Sequence, residues 1–295
     1  MLEGWVVVVS ALGYILSLFA IASYGDRKAR TMPPGRGRPL IYALSLSVYC
    51  TSWTFFGSVG TATRSGLEFL TIYIGPVLVF ALGYPLLRRI IRLAKSERIT
   101  SIADFIGARY GKSQSVAAVV AIIAVIGIIP YIALQLKAVS LSVTTMVDQI
   151  DLSGGVGPLS FFSDITLIIA IGMAIFAWLF GTRHIDATEH QEGLMLAIAA
   201  EAVVKLLAFL AVGIWVTYGL YDGPGALVSA MAGDARVTEV LTGELSGGNW
   251  IVMTLLSFFA VLMLPRQFHV TVTENNSSEE LKRATWLFPL YLVAI

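Results

Sequence analysis

Ionisable side chains are scarce in the apolar stretches of this chain, so the few found there are the first candidates for chemistry. Glu201 and Lys205 stand four residues apart with the acid first, the spacing and order of a helical ion pair. A charge in an apolar span costs about 3 kcal/mol or more unless it is paired or wet. The two therefore either neutralise each other or line a polar path. Lys137 has no partner at helical spacing; it lines a cavity or snorkels toward the headgroups. A second group is made of hydroxyls. Ser45, Ser47, Thr51, Ser52, Thr54 and Ser58 crowd into Tyr42–Gly60 together with Gly57 and Gly60. Such a stretch unwinds easily, and free carbonyls and hydroxyls can hold a cation or a solute. The same small residues also let two helices pack closely. His184, His190 and His269 are too dispersed for a metal site, and the single cysteine, Cys50, excludes a multi-cysteine one. No phosphate-binding glycine loop, nucleophile elbow or paired-histidine zinc motif occurs, so this chain is expected not to be an enzyme.

The elements that must position these residues are membrane helices. With 57% hydrophobic and 13% charged residues, the chain carries about half the charge of a soluble protein. A crossing needs about 20 apolar residues. Spans are expected near 5–24, 42–60, 67–91, 115–146, 165–180, 194–220 and 250–272, and an eighth apolar segment starts near Thr285. Because that segment stops after about half a crossing, the chain is expected to be a fragment of something longer. MLEG has no basic character and no small-residue cleavage site follows the first span, so it reads as an uncleaved helix. Between the third and fourth spans, Ile99, Ile102, Ala103 and Ile106 recur at helical spacing, which predicts a short amphipathic helix at the interface. Pro130 predicts a kink in the fourth span.

Basic residues set the orientation. Sixteen fall on one set of alternating loops, among them Arg27, Arg36, Arg38, Arg88, Arg92, Lys95, Arg109, Arg183, Arg266 and Lys282, and only Arg64 and Arg236 fall on the other. The positive-inside rule then puts the N-terminus outside. Pro265 removes a backbone donor, so helical bonding must fail near it as well. Two helices with weak points, set antiparallel about five spans apart, are the signature of an inverted repeat.

Several stretches carry a resemblance to a known family. They are YCTSWTFFGSVG followed by Ser65-Gly66, then ERITSIADFIGARYG, then Tyr131 through Leu136. To these add Arg183 with Thr188, Glu189 and Gln191, and Pro265-Arg266 with Phe268. In order and orientation the chain resembles the sodium/solute symporter family, the group of proline, pantothenate, iodide and sugar symporters. The wording of YCTSWTFFGSVG, PYIALQLKA and LPRQFHVTVTEN is most similar to symporter-like domains fused to bacterial sensor histidine kinases.

The resemblance implies an all-α polytopic membrane protein with the five-plus-five inverted-repeat, leucine-transporter-like fold. Residues 1–38 would be an extra N-terminal helix and basic cytoplasmic loop, 39–220 the first repeat, and 221–295 a periplasmic loop and the start of a truncated second repeat. It implies a Na+ site using the backbone carbonyls of Ser47 and Cys50. Its solute-contacting positions fall on Thr51, Trp53, Thr54, Phe56, Tyr131, Gln135 and Phe259. Tyr49 stands where some members carry an acid. The function implied is sodium-coupled transport, or transport-linked sensing, of a small polar solute such as an amino acid or organic acid across the bacterial inner membrane. The alternative is a sensory input module for a fused or downstream kinase with little transport of its own.

Overall fold

The structure is a computed structural model; it describes residues 4–31, 37–146, 192–242 and 247–295, with isolated helical positions between 167 and 175. Most of the expected fifth span and the motif residues Arg183, Thr188, Glu189 and Gln191 therefore lie outside the described residues, as do His184 and His190. All described regular structure is helical.

Helix α1 (Gly4–Thr31) lies against α8 (Glu192–Trp215). Next come α2 (Arg38–Ser45), α3 (Ser58–Ser65), α4 (Thr71–Leu82) and α5 (Tyr84–Ser96). The amphipathic segment forms α6 (Ile102–Arg109), started by Ser101, whose hydroxyl accepts the Asp104 N–H at 3.1 Å. That cap is worth about 1 kcal/mol. Helix α7 (Gln114–Met146) runs through Pro130 without interruption. Ile122, Ile123, Val125, Ile126 and Ile129 on it are all exposed, an apolar surface of the kind that a bilayer covers. Lys137 is exposed too.

The polar segment after α8 is not a plain loop. It forms α9 (Pro224–Gly233) and α10 (Ala235–Thr242) behind Gly223, whose φ of +108° suits glycine. The chain then continues through α11 (Gly247–Met263), α12 (Pro265–Phe268) and α13 (Ser278–Ala294).

Among the described residues, four helices are long and apolar enough to cross a membrane, or five if the bent pair α11–α12 counts as one span. Seven full crossings were expected. The difference has two sources. One expected span lies mostly outside the described residues, and Trp53–Leu82 forms one run of helical turns where two crossings were expected. That run is interrupted at Gly66, with φ +56° and the Val240 carbonyl so close that a Cβ would sit 2.5 Å from it.

The packing is reciprocal about two breaks. Helix α2, before the first break, packs on α13, which follows the second; α11, before the second break, packs on α4, which follows the first. Each contact has its own chemistry. Gly75 lets α4 approach α11, and the Ser257 hydroxyl donates to the Thr71 carbonyl at 2.7 Å. The core fills the space between: Tyr42, Leu46, Phe80, Leu87, Phe288 and Leu292 are buried, and the rings of Phe80 and Phe288 meet edge-to-face at 4.8 Å.

At one end, Arg38 is not the solvated loop cation that the charge count took it for. It is 7% exposed, with Nε 2.6 Å from Glu192 and Nη1 hydrogen-bonded to Glu280. Asp26 accepts the Gly193 N–H at 2.8 Å, and Lys95 donates to Asn275 at 3.2 Å, at the same end. At the other end, Asn249 donates to Glu68 at 3.0 Å.

The candidate site between two broken helices

The first break lies inside the hydroxyl-rich stretch. After α2 the chain tightens into a 3-10 turn, Leu46–Tyr49, and Cys50 is extended at φ −80°, ψ 106°. Helical winding resumes as a π-helical turn over Trp53–Gly57. The second break is at Leu264, extended at ψ 126° ahead of Pro265, and the two parts of that helix meet at 57°. Pro265 has no N–H to donate to the carbonyl one turn back, and here, unlike at Pro130 in α7, the helix breaks.

Side chains join the breaks. Gln267, fully buried, donates to the Leu46 carbonyl at 3.4 Å, while its own carbonyl oxygen has no partner among the described residues. From α7, the Tyr131 hydroxyl donates to Thr51 Oγ1 at 2.7 Å. Gln135 accepts from the Ser52 hydroxyl at 2.6 Å and from the Ser52 N–H at 3.2 Å. The Arg266 guanidinium carbon lies 4.5 Å from the centre of the Tyr131 ring, a cation–π contact. No carboxylate pairs with Arg266 among the described residues.

Of the residues singled out from sequence, Thr51, Tyr131 and Gln135 are thus brought together, with Ser52 and Arg266 added. Trp53 faces Tyr73, ring centres 6.3 Å apart, and Thr54 is buried with its carbonyl accepting from Ser58. Phe56 and Phe259 are 46% and 52% exposed, and among the described residues no ring contact joins either to these groups; the Phe259 ring meets the Phe258 ring at 5.4 Å. Arg266 was counted among the cytoplasmic loop cations, yet it lies at the helix break. The signal was in the sequence, because a residue directly after a span-breaking proline sits where the span is interrupted. Nothing marked Gln267. His269, in the turn after α12, has its Nε2 3.2 Å from the buried Glu274 carboxylate. No cluster of histidine, cysteine and carboxylate able to hold a metal occurs among the described residues.

The carbonyls of Ser47 and Cys50 are both engaged. Ser47 O accepts the Cys50 N–H at 2.8 Å, and Cys50 O accepts from the Lys205 ammonium at 3.1 Å. Lys205 forms the expected pair with Glu201 at 2.6 Å and reaches past it to the break. A further cation on the Cys50 oxygen would lie about 4 Å from that ammonium, a repulsion of about 4 kcal/mol at an effective dielectric of 20. With Lys205 in place, the Cys50 carbonyl does not fit a sodium ion.

No family model matches the chain, and no solved structure matches it. Two curated proteins of Bacillus subtilis (strain 168) are similar to it. The uncharacterized symporter YhjB is 23% identical over 264 residues, which are 88% of this chain and 50% of that protein. The uncharacterized symporter YodF is 30% identical over 103 residues, 35% of this chain and 21% of that protein. The chain spans about half the length of YhjB. Taken with the apolar helices, the class is a multi-pass, all-helical membrane protein with distant similarity to symporters.

Proposed function

We propose that this chain carries a small, carboxylate-bearing polar solute, an amino acid or organic acid, across the membrane between its two broken helices. One observation carries the reading. Arg266 stands at the second break, stacked on Tyr131, whose hydroxyl reaches Thr51 beside the first break. A guanidinium resting on an aromatic ring is held by about 0.5–2 kcal/mol. A carboxylate would bind it through two parallel charge-assisted hydrogen bonds, which are stronger. The arrangement suits an exchange of ring for carboxylate, while Thr51, Ser52 and Gln135 offer hydroxyl and amide groups to the rest of the solute.

Alternating access also needs a scaffold with two similar halves. The reciprocal packing of α2 on α13 and of α11 on α4 supports two inverted repeats, because a two-fold axis in the membrane plane would exchange these contacts. The resemblance implies sodium as the coupling ion, but the Lys205 ammonium already occupies the Cys50 carbonyl that would hold it.

The test is uptake of radiolabelled amino acids and organic acids by reconstituted protein. Arg266→Gln is expected to lower uptake of carboxylate solutes at least about 10-fold, the loss of one charge-assisted contact. Uptake confined to solutes without a carboxylate, or a fully active Arg266→Gln protein, would overturn the reading. Binding without uptake would favour a sensory module.

A further inference from the structure

The first break holds a cation that belongs to the chain. Cys50 is the extended residue in the broken helix and is fully buried, so its carbonyl has lost its helical donor where water cannot replace it. Lys205 supplies the replacement from α8, with Nζ 3.1 Å from the oxygen. Its reach is fixed from both sides. The Ser45 hydroxyl donates to Met195 O at 2.8 Å and the Tyr291 hydroxyl donates to Ala202 O at 3.0 Å, pinning the α8 backbone to the helices around the break. Glu201, one turn before Lys205, holds the ammonium at 2.6 Å.

The charges around the breaks are then two fixed cations, Lys205 and Arg266, and one acid, Glu201. A bound carboxylate would bring this set to neutrality. A sodium ion would take it further from neutrality.

We propose that the Lys205 ammonium is a tethered cation that takes the place of a coupling sodium ion at the Cys50 carbonyl, so that the site binds its solute without sodium. The proposal replaces the sodium expectation and rests on the transport reading only for its consequence; the seat itself is tested with the ion alone.

The probe is 22Na+ on the purified protein, paired with unfolding temperatures in NaCl and in choline chloride at equal ionic strength. The unaltered protein is expected to show no saturable 22Na+ binding and the same unfolding temperature in both salts. Lys205→Ala frees the carbonyl and leaves Glu201 unneutralised. It is expected to gain 22Na+ binding at least about tenfold above background and a sodium-specific rise of about 3 °C at ten times the dissociation constant. Lys205→Arg keeps a cation at the seat and stays indifferent to sodium. Saturable 22Na+ binding by the unaltered protein overturns the proposal. So does a folded Lys205→Ala protein that remains indifferent. If Lys205→Ala does not fold, the Glu201→Gln/Lys205→Met protein, in which both charges are removed, must gain the sodium response instead, and its indifference counts against the proposal. These results do not depend on uptake, so a failure of the solute reading would leave them standing, and the reverse.

Discussion

Arg38 is the cation on which the packed end of the molecule depends, and its removal has a size that the structure sets. The guanidinium joins Glu192 on α8 and Glu280 on α13, and also reaches the Glu274 carbonyl at 3.4 Å. Glu280 has a side chain 3% exposed, so water cannot solvate it once Arg38 is gone. Its remaining hydrogen bond is from the Asn276 N–H at 2.7 Å, and Lys95 is the cation that still acts on it from further off. Breaking a buried pair by deleting one partner costs about 3–5 kcal/mol, because the other charge is left uncompensated. Glu192 is 24% exposed and adds little, since it can turn to water. Arg38→Met should therefore lower the unfolding temperature by at least about 6 °C, read by tryptophan fluorescence in detergent. Adding Glu280→Gln removes the stranded charge while keeping the shape, so the double variant should recover much of the loss. Non-additivity of about 2 kcal/mol is the expected signature of direct contact. An Arg38→Met protein within 2 °C of the parent (about 1 kcal/mol or less), with no effect of the second change, would refute the buried network.

Two further outcomes test the scaffold. Gly75→Val should destabilise strongly, because a Cβ there would sit 2.1 Å from Ser257 Oγ and 2.4 Å from the Phe258 nitrogen; overpacking costs about 1–3 kcal/mol, and a variant as stable as the parent would deny the close approach of α4 and α11. Reporter fusions after Arg36 and after Gly154 should read cytoplasmic and periplasmic respectively, as the basic-residue asymmetry requires, and the opposite pattern would reverse the orientation.

The elements that could be read from sequence are those set by neighbours along the chain. Ser101 three residues before Asp104 marks the start of α6, the hydroxyl run marks the first break, and Pro265 marks the second. Glu201 and Lys205 meet because residues four apart share a face of any helix. What could not be read is what that face looks at. Lys205 reaches Cys50 across 155 positions of chain, and Arg38 reaches Glu280 across 242. Periodicity identifies the stripe of a helix that is buried, and says nothing of which helix covers it. For the same reason Phe56 and Phe259, placed among the solute contacts by resemblance alone, stand exposed beside a cluster that draws in Ser52 and Arg266 instead.

The contacts that hold the two regions together differ in strength, and the difference bears on how such a molecule could work. The Arg38 end is closed by a buried triad worth several kcal/mol to break, with Asp26, Lys95 and Asn275 hydrogen-bonded around it. Between the breaks, the half-buried Tyr131, Gln135 and Ser52 make three hydrogen bonds, one to Thr51 and two between Ser52 and Gln135. Bonds of that kind between membrane helices average about 0.6 kcal/mol each, because a helix that separates finds other partners. The cation–π contact of Arg266 is of similar order. A few such contacts can be exchanged for those of a bound solute without unfolding anything, whereas the Arg38 triad cannot open without a compensating gain elsewhere. The polar contacts between the breaks are therefore the ones most readily exchanged and the Arg38 end the more fixed, a division that the proposed transport would use.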